Sequence, residues 1–174
     1  MKVLLAASEV APIIKLGGLG DVAGSLPKAL SKLNINIDVI APYFSFANMA
    51  GLNAYKGIDL NIAYNGKNNL VEVWNTKLPG SDVDVLLLRN SDYFSGYGGK
   101  GTTNVSENDT FSFFDTAVVA YIKSKFNTYD LIHCNDWHTG LITALLSEEL
   151  GSTRPATLYT IHNLMYQGIS DLDT

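Results

Sequence analysis

Three scarcities bound this 174-residue chain. Arg89 and Arg154 are its only arginines and the net charge is −5, so the clustered basic surface that grips nucleic acid is missing. A single nucleotide is not excluded, because one lysine and a few backbone N–H groups suffice to hold it. Cys134 is the only cysteine, which rules out an internal disulfide and points to a reducing compartment. Long apolar runs are also missing. The first, Val3–Ala7, gives way to Ser8 and Glu9, short of the roughly 7–15 residues of a secretory core. Nothing approaches the ~20 apolar residues of a membrane helix. What remains is a 47% hydrophobic chain, long enough for one domain with its own core and read as cytoplasmic.

Apolar runs alternate with helical periodicity. Val3–Ala7, Asn36–Ala41, Asp82–Leu88, Asp130–Cys134 and Ala156–His162 read as strands. A helix is expected over Gly20–Lys32, with Val22, Leu26, Ala29, Leu30 and Leu33 inward and Pro27 kinking it or starting a new turn. A second carries Phe111, Phe114, Val118, Tyr121, Ile122 and Phe126 on one face. A third carries Leu141, Ile142, Leu145 and Leu146 inward and ends at Gly151. Asn65-Gly66, flanked by two β-rich runs, predicts a hairpin inserted into this alternation. The polar stretch Asn90–Asp109 is long for a loop in a compact domain, which suggests function or mobility. Continuous apolar strands separated by helices imply an α/β fold: a Rossmann-like, mostly parallel sheet with helices on both faces.

In such a sheet ligands bind beyond the carboxyl ends of the strands. Three polar segments belong there. After the first strand come Lys15, Gly17, Gly18, Leu19, Gly20 and Asp21, a glycine-rich loop of the kind that holds phosphate. After Asp130–Cys134 come Asn135, Asp136, Trp137 and His138. After Ala156–Ile161 come His162, Asn163, Tyr166, Gln167 and Gly168.

Each segment has competing readings. Gly18 to Ala23 matches the G-x-G-x-x-G/A dinucleotide fingerprint, so an NAD-type oxidoreductase is the rival enzyme. Against it, about ten residues separate the strand from Gly17 where the fingerprint follows directly, and the only acid of the second strand, Asp38, is not at its end. A glycine turn with no ligand is the plainer alternative. Asp136 is either a cleft carboxylate or the cap of the helix that follows. His133 and His138 flank a strand-to-helix turn without a zinc spacing, so no metal is expected; His133 reads as a supporting residue and Cys134 as an inert buried thiol. Tyr93, Phe94, Tyr97 and Tyr166 would suit a non-catalytic glucan-binding module, by stacking on sugar.

Taken together, Leu4–Leu30, His133–Leu141 and Thr160–Gly168 resemble the N-terminal part of bacterial glycogen synthases and plant starch synthases. Their K-x-G-G-L hallmark is present as Lys15-Leu16-Gly17-Gly18-Leu19, and the likeness runs in order from residue 2 to about 168. The resemblance implies the N-terminal half of a two-domain GT-B glycosyltransferase. On that basis 1–174 would be an incomplete N-terminal Rossmann-like domain, with a C-terminal nucleotide-binding domain elsewhere. It implies retaining transfer of glucose from ADP-glucose, or UDP-glucose in some relatives, to the non-reducing end of an α-1,4-glucan, with no cofactor. It implies catalytic roles for His162, Asp136 and Lys15, and substrate contacts from Lys15, Gly17, Gly18, Leu19, Asp21, Tyr97 and Asn163. It leaves room for a plastid location in a plant relative.

Overall fold

The computed structural model describes residues 1–102 and 104–169. A seven-stranded sheet runs through the molecule, with strand order β3-β4-β5-β2-β1-β8-β9. β1 (Lys2–Ala6), β2 (Asn36–Pro42), β5 (Asp84–Arg89), β8 (Leu131–Asn135) and β9 (Ala156–Thr160) are mutually parallel. β3 (Tyr55–Tyr64) and β4 (Lys67–Lys77) add antiparallel at one edge. Their turn is Asn65-Gly66, with φ of 49° and 69°, the geometry a two-residue hairpin needs. The hairpin is therefore part of the sheet, joined through β4 to β5. A further small hairpin, β6 (Gly96–Tyr97) with β7 (Lys100–Gly101), forms inside the long polar stretch.

Among the described residues three α-helices cover the sheet: α1 (Gly18–Ser31), α2 (Glu107–Ser124) and α3 (Gly140–Leu150). The chain steps from β1 to β2 in one direction and from β8 to β9 in the other. With right-handed crossovers, α1 lies on one face and α2 and α3 on the other. α2 starts where the Ser106 hydroxyl accepts from the Asp109 N–H, a side-chain cap that satisfies an otherwise orphaned amide. α3 ends at Gly151, with φ of 54°. The core combines the apolar strands with Phe111, Phe113, Phe114 and Phe94.

Three helix-face expectations fail, in part of α1, at Phe126 and at Leu141. α1 buries Leu19, Gly20, Ala23, Gly24 and Pro27, whereas Ala29 and Leu33 are exposed and Val22, Leu26 and Leu30 are half-buried. The helix approaches the loop after β1 so closely that a Cβ at Gly24 would meet the Ala11 carbonyl oxygen at 2.3 Å; small residues make that contact, while Leu26 and Leu30 pack against the core from its flank. Pro27 sits within one continuous helix, facing inward. Phe126 lies beyond the end of α2 and is exposed, as is Leu141 at the start of α3. β9 is the sheet's edge, and Leu158, Tyr159 and Ile161 are exposed there. Tyr93 and Phe94 are not sugar platforms: Tyr93 stacks on Phe113 at 4.0 Å between ring centres, and Phe94 is buried.

Candidate active site

The strand order reverses between β1 and β8, which opens a crevice at their carboxyl ends. A cavity of about 590 Å³ occupies it. The loop after β1 contributes Glu9 and Gly17, and the start of α1 contributes Gly18, Leu19 and Val22. The turn after β8 contributes Asp136, Trp137 and His138. The segment after β9 contributes His162, Asn163 and Tyr166. Tyr97 and Glu107 complete the wall. Of the residues expected from the sequence, Lys15 and Asp21 are not in that wall. They pair with each other, Nζ to Oδ1 at 2.6 Å, both more than half exposed.

The dinucleotide rival loses its ribose-binding acid. Asp38 lies in the amino-terminal half of β2, where the Tyr129 hydroxyl donates to it at 2.8 Å and Lys2 pairs with it at 3.0 Å. That is the end of the sheet away from the crevice.

The glycine loop is organised by a residue the sequence reading passed over. The buried Glu9 carboxylate accepts from the Leu16 N–H at 2.5 Å and the Gly17 N–H at 2.8 Å. α1 has no side-chain cap at Gly17, and Glu9 supplies negative charge to that helix end from inside the fold. Two amides that would have suited a phosphate are thereby occupied. Gly18 and Leu19 line the cavity, and their first-turn amides have no partner within the helix. A Cβ at Gly18 would meet nothing within 4 Å. The available sequence signal was an acid placed between strand and glycine loop with no other assignment.

Asp136 does not cap the following helix. Its backbone is left-handed, with φ of 58°, and its side chain makes no cap bond. Instead Oδ1 accepts from the backbone N–H of His162 at 2.7 Å and of Asn163 at 3.3 Å. A non-glycine residue in that conformation persists only where surroundings over-determine it, and here the strand end after β9 does so. The carboxylate thus holds the main chain of His162 and Asn163 at the cavity. His133, buried behind them, shares a 2.8 Å hydrogen bond with the Thr160 hydroxyl, and burial lowers its affinity for a proton. Burial pushes the Cys134 thiol up to about 12, so it stays protonated and unreactive.

Tyr97 reaches the cavity from the β6–β7 hairpin. Its ring stacks on Phe44 and meets Phe111 edge-on. Its hydroxyl lies 2.8 Å from His138 Nε2, and burial raises its pKa. Burial pushes the His138 imidazole down to about 4, and Nδ1 has no hydrogen-bond partner among the described residues. The unfolded chain takes up this proton as pH falls through about 6.5, the folded chain only near the lower value. His138 therefore contributes stability that is full above that upper value and fades as pH falls through the window. The buried Asp115 carboxyl, whose pKa burial raises, acts in the opposite sense, so a comparison of variants is needed. The melting temperature of the wild type is expected to fall relative to His138→Gln between about pH 7 and pH 4; a constant difference would show that His138 titrates normally.

Among the described residues no group of three or more His, Cys, Asp and Glu is arranged to hold a metal ion, and no helix is long and apolar enough to cross a membrane.

Comparison with known proteins agrees with this architecture. The family model described as the starch synthase catalytic domain matches residues 2–174. The glycogen synthase of Geotalea daltonii is 37% identical over 179 residues, covering 97% of this chain and 36% of that protein. That of Cellvibrio japonicus is 38% identical over 185 residues, covering 96% and 36%. The catalytic domain of starch synthase IV from Arabidopsis thaliana, solved bound to ADP and acarbose, superposes with a TM-score of 0.82 at 27% identity, over 96% of this chain and 34% of that one. Sucrose-phosphate synthase from Thermosynechococcus elongatus, at 16% identity and a TM-score of 0.57 over 94% of this chain and 33% of its own, shares the fold. The chain spans about 36% of the length of the curated relatives it matches. With a family model covering nearly every residue and a fold that matches in the same order, the chain belongs to the starch synthase catalytic domain family.

Proposed function

We propose that this chain is the acceptor-side domain of a glycogen or starch synthase. The full-length enzyme to which it belongs transfers glucose from ADP-glucose to the non-reducing end of an α-1,4-glucan with retention of anomeric configuration, in the cytoplasm. The observation that carries this reading is the placing of Asp136, His162 and the Gly17–Leu19 loop around one cavity at the reversal of strand order. The Arabidopsis relative, bound to a nucleoside diphosphate and an oligosaccharide analogue, supports it.

In the reaction the bond between the glucose anomeric carbon and the diphosphate oxygen breaks, and a glucan hydroxyl oxygen bonds to that carbon. The departing diphosphate takes the hydroxyl proton. Positive charge builds on the sugar as the first bond lengthens, as in other glycosyl transfers. Asp136, held by two backbone amides, supplies a fixed negative charge without reorganising. Glu9 and Glu107 make the wall acidic as well, which suits a cationic sugar better than a phosphate. The Gly18 and Leu19 amides and Lys15 are left for the diphosphate. Lys15 must leave Asp21 to reach it, and an exposed pair of this kind costs only about 0–1 kcal/mol to break. His162, Asn163 and Tyr97 hold the glucosyl unit. No cofactor takes part. The nucleotide is gripped by a further domain, consistent with the greater length of the relatives.

The full-length protein is expected to incorporate radiolabelled glucose from ADP-glucose into glycogen. Lys15→Ala should lower kcat roughly 10- to 100-fold, less than the ~10²–10³-fold of a preorganised donor because Lys15 must first leave Asp21, and leave the KM for glycogen within about twofold. An unchanged kcat in a folded variant would sink the role of Lys15; no incorporation by the wild type from either ADP-glucose or UDP-glucose would sink the function.

A further inference from the structure

The buried Asn135 side chain bridges the ends of three strands. Its amide nitrogen lies 3.1 Å from the Ala6 carbonyl oxygen of β1 and 3.1 Å from the His133 carbonyl oxygen of β8. Both are backbone carbonyls, which accept and cannot donate. The –NH₂ end of Asn135 must therefore face them, and the reversed amide would set an oxygen against two oxygens. That leaves Oδ1, an acceptor only, 2.9 Å from His162 Nε2. A hydrogen bond forms there only if Nε2 carries the proton.

The backbone of His162 is tied down separately. Its N–H donates to Asp136 Oδ1, so main chain and ring are held by adjacent residues, Asp136 and Asn135. The other ring nitrogen, Nδ1, has no hydrogen-bond partner among the described residues, and the ring lines the cavity. A neutral imidazole protonated at Nε2 offers a lone pair at Nδ1.

We propose that Asn135 is a positioning residue that fixes His162 as the Nε2–H tautomer, so that a bare Nδ1 accepts a hydrogen bond from a hydroxyl group of the sugar in the cleft. The identity of the donor as a sugar hydroxyl rests on the transfer reading above; the tautomer does not. Asn135 touches no substrate and acts through His162 alone. One of its hydrogen bonds joins residues 129 apart in sequence, so the tautomer depends on how β1 and β8 align.

The test is nitrogen-15 NMR of histidine-labelled full-length protein, with the His162 signals identified by their loss in His162→Gln. In the wild type at neutral pH the protonated nitrogen is expected to be Nε2. In Asn135→Leu that preference should disappear and both tautomers should be populated. In Asn135→Asp the carboxylate should favour a second proton on the ring. A wild-type ring protonated at Nδ1 overturns the proposal, whatever the variants do and whether or not they fold. So does an unchanged tautomer in folded Asn135→Leu. In glucosyl transfer, Asn135→Leu should lower kcat about tenfold, the equivalent of one misaligned hydrogen bond, with the KM for ADP-glucose within about twofold. An altered tautomer with unchanged kcat overturns the link to the sugar. A wild type that transfers no glucose would overturn the function proposed above, yet the tautomer measurement would still stand or fall by itself.

Discussion

His162→Ala in the full-length protein is expected to lower kcat by about 10²–10³-fold, the loss typical when a preorganised polar group is removed from a transfer site. Its melting temperature should drop by no more than about 4 °C, since one hydrogen bond is worth ~1 kcal/mol. The reason lies in which atoms the substitution removes. The backbone N–H of residue 162 survives in alanine, so it still donates to Asp136 Oδ1 and the carboxylate keeps its place. The side chain is exposed, and among the described residues its one hydrogen bond is to Asn135. Truncation frees the Asn135 oxygen toward the cavity, where water can reach it. The variant therefore separates chemistry from folding. A large fall in melting temperature with a proportionate fall in activity would make His162 a structural residue and overturn its assignment to the sugar.

The 174-residue chain by itself is expected to fold at least in part but to transfer no detectable glucose from ADP-glucose to glycogen. It presents one wall of a cleft whose cavity opens to solvent beside Tyr166, itself 72% exposed. Donor and acceptor must be held in a near-attack arrangement, and orientation of that kind supplies up to roughly 7–11 kcal/mol of the barrier reduction. Closure is also needed to keep water from the reacting sugar. Of the cationic groups the donor's diphosphate would need, this wall holds none, and the nearby Lys15 is already paired with Asp21. Radiolabel incorporation by the purified chain above a heat-killed control would show that this wall is sufficient and that no second domain is required.

The sequence alone determined the strands of the main sheet, the three α-helices and their order, though not the small β6–β7 hairpin inside the polar stretch. Period-two and continuous apolar runs mark strands because side chains alternate across a pleat and buried strands are apolar on both faces. Asn65-Gly66 marked the hairpin because few other pairs tolerate two positive φ angles. The placing of Asp136, His162 and the glycine loop at one sheet edge also followed, since parallel strands put all their following loops on the same side. The tertiary structure alone decided which groups meet there. Glu9 finds the Leu16 and Gly17 amides only because the loop after β1 folds back under α1. Asp136 turns from helix cap to partner of His162 only because β9 pairs with β8 in one register. Leu33, Phe126 and Leu141 match helical periodicity yet end in solvent. Periodicity states which residues share a face, and what covers that face is set by crossovers and strand neighbours far away along the chain. Hydrogen bonds between such distant residues depend on alignment to within an ångström, which no local pattern of residues encodes.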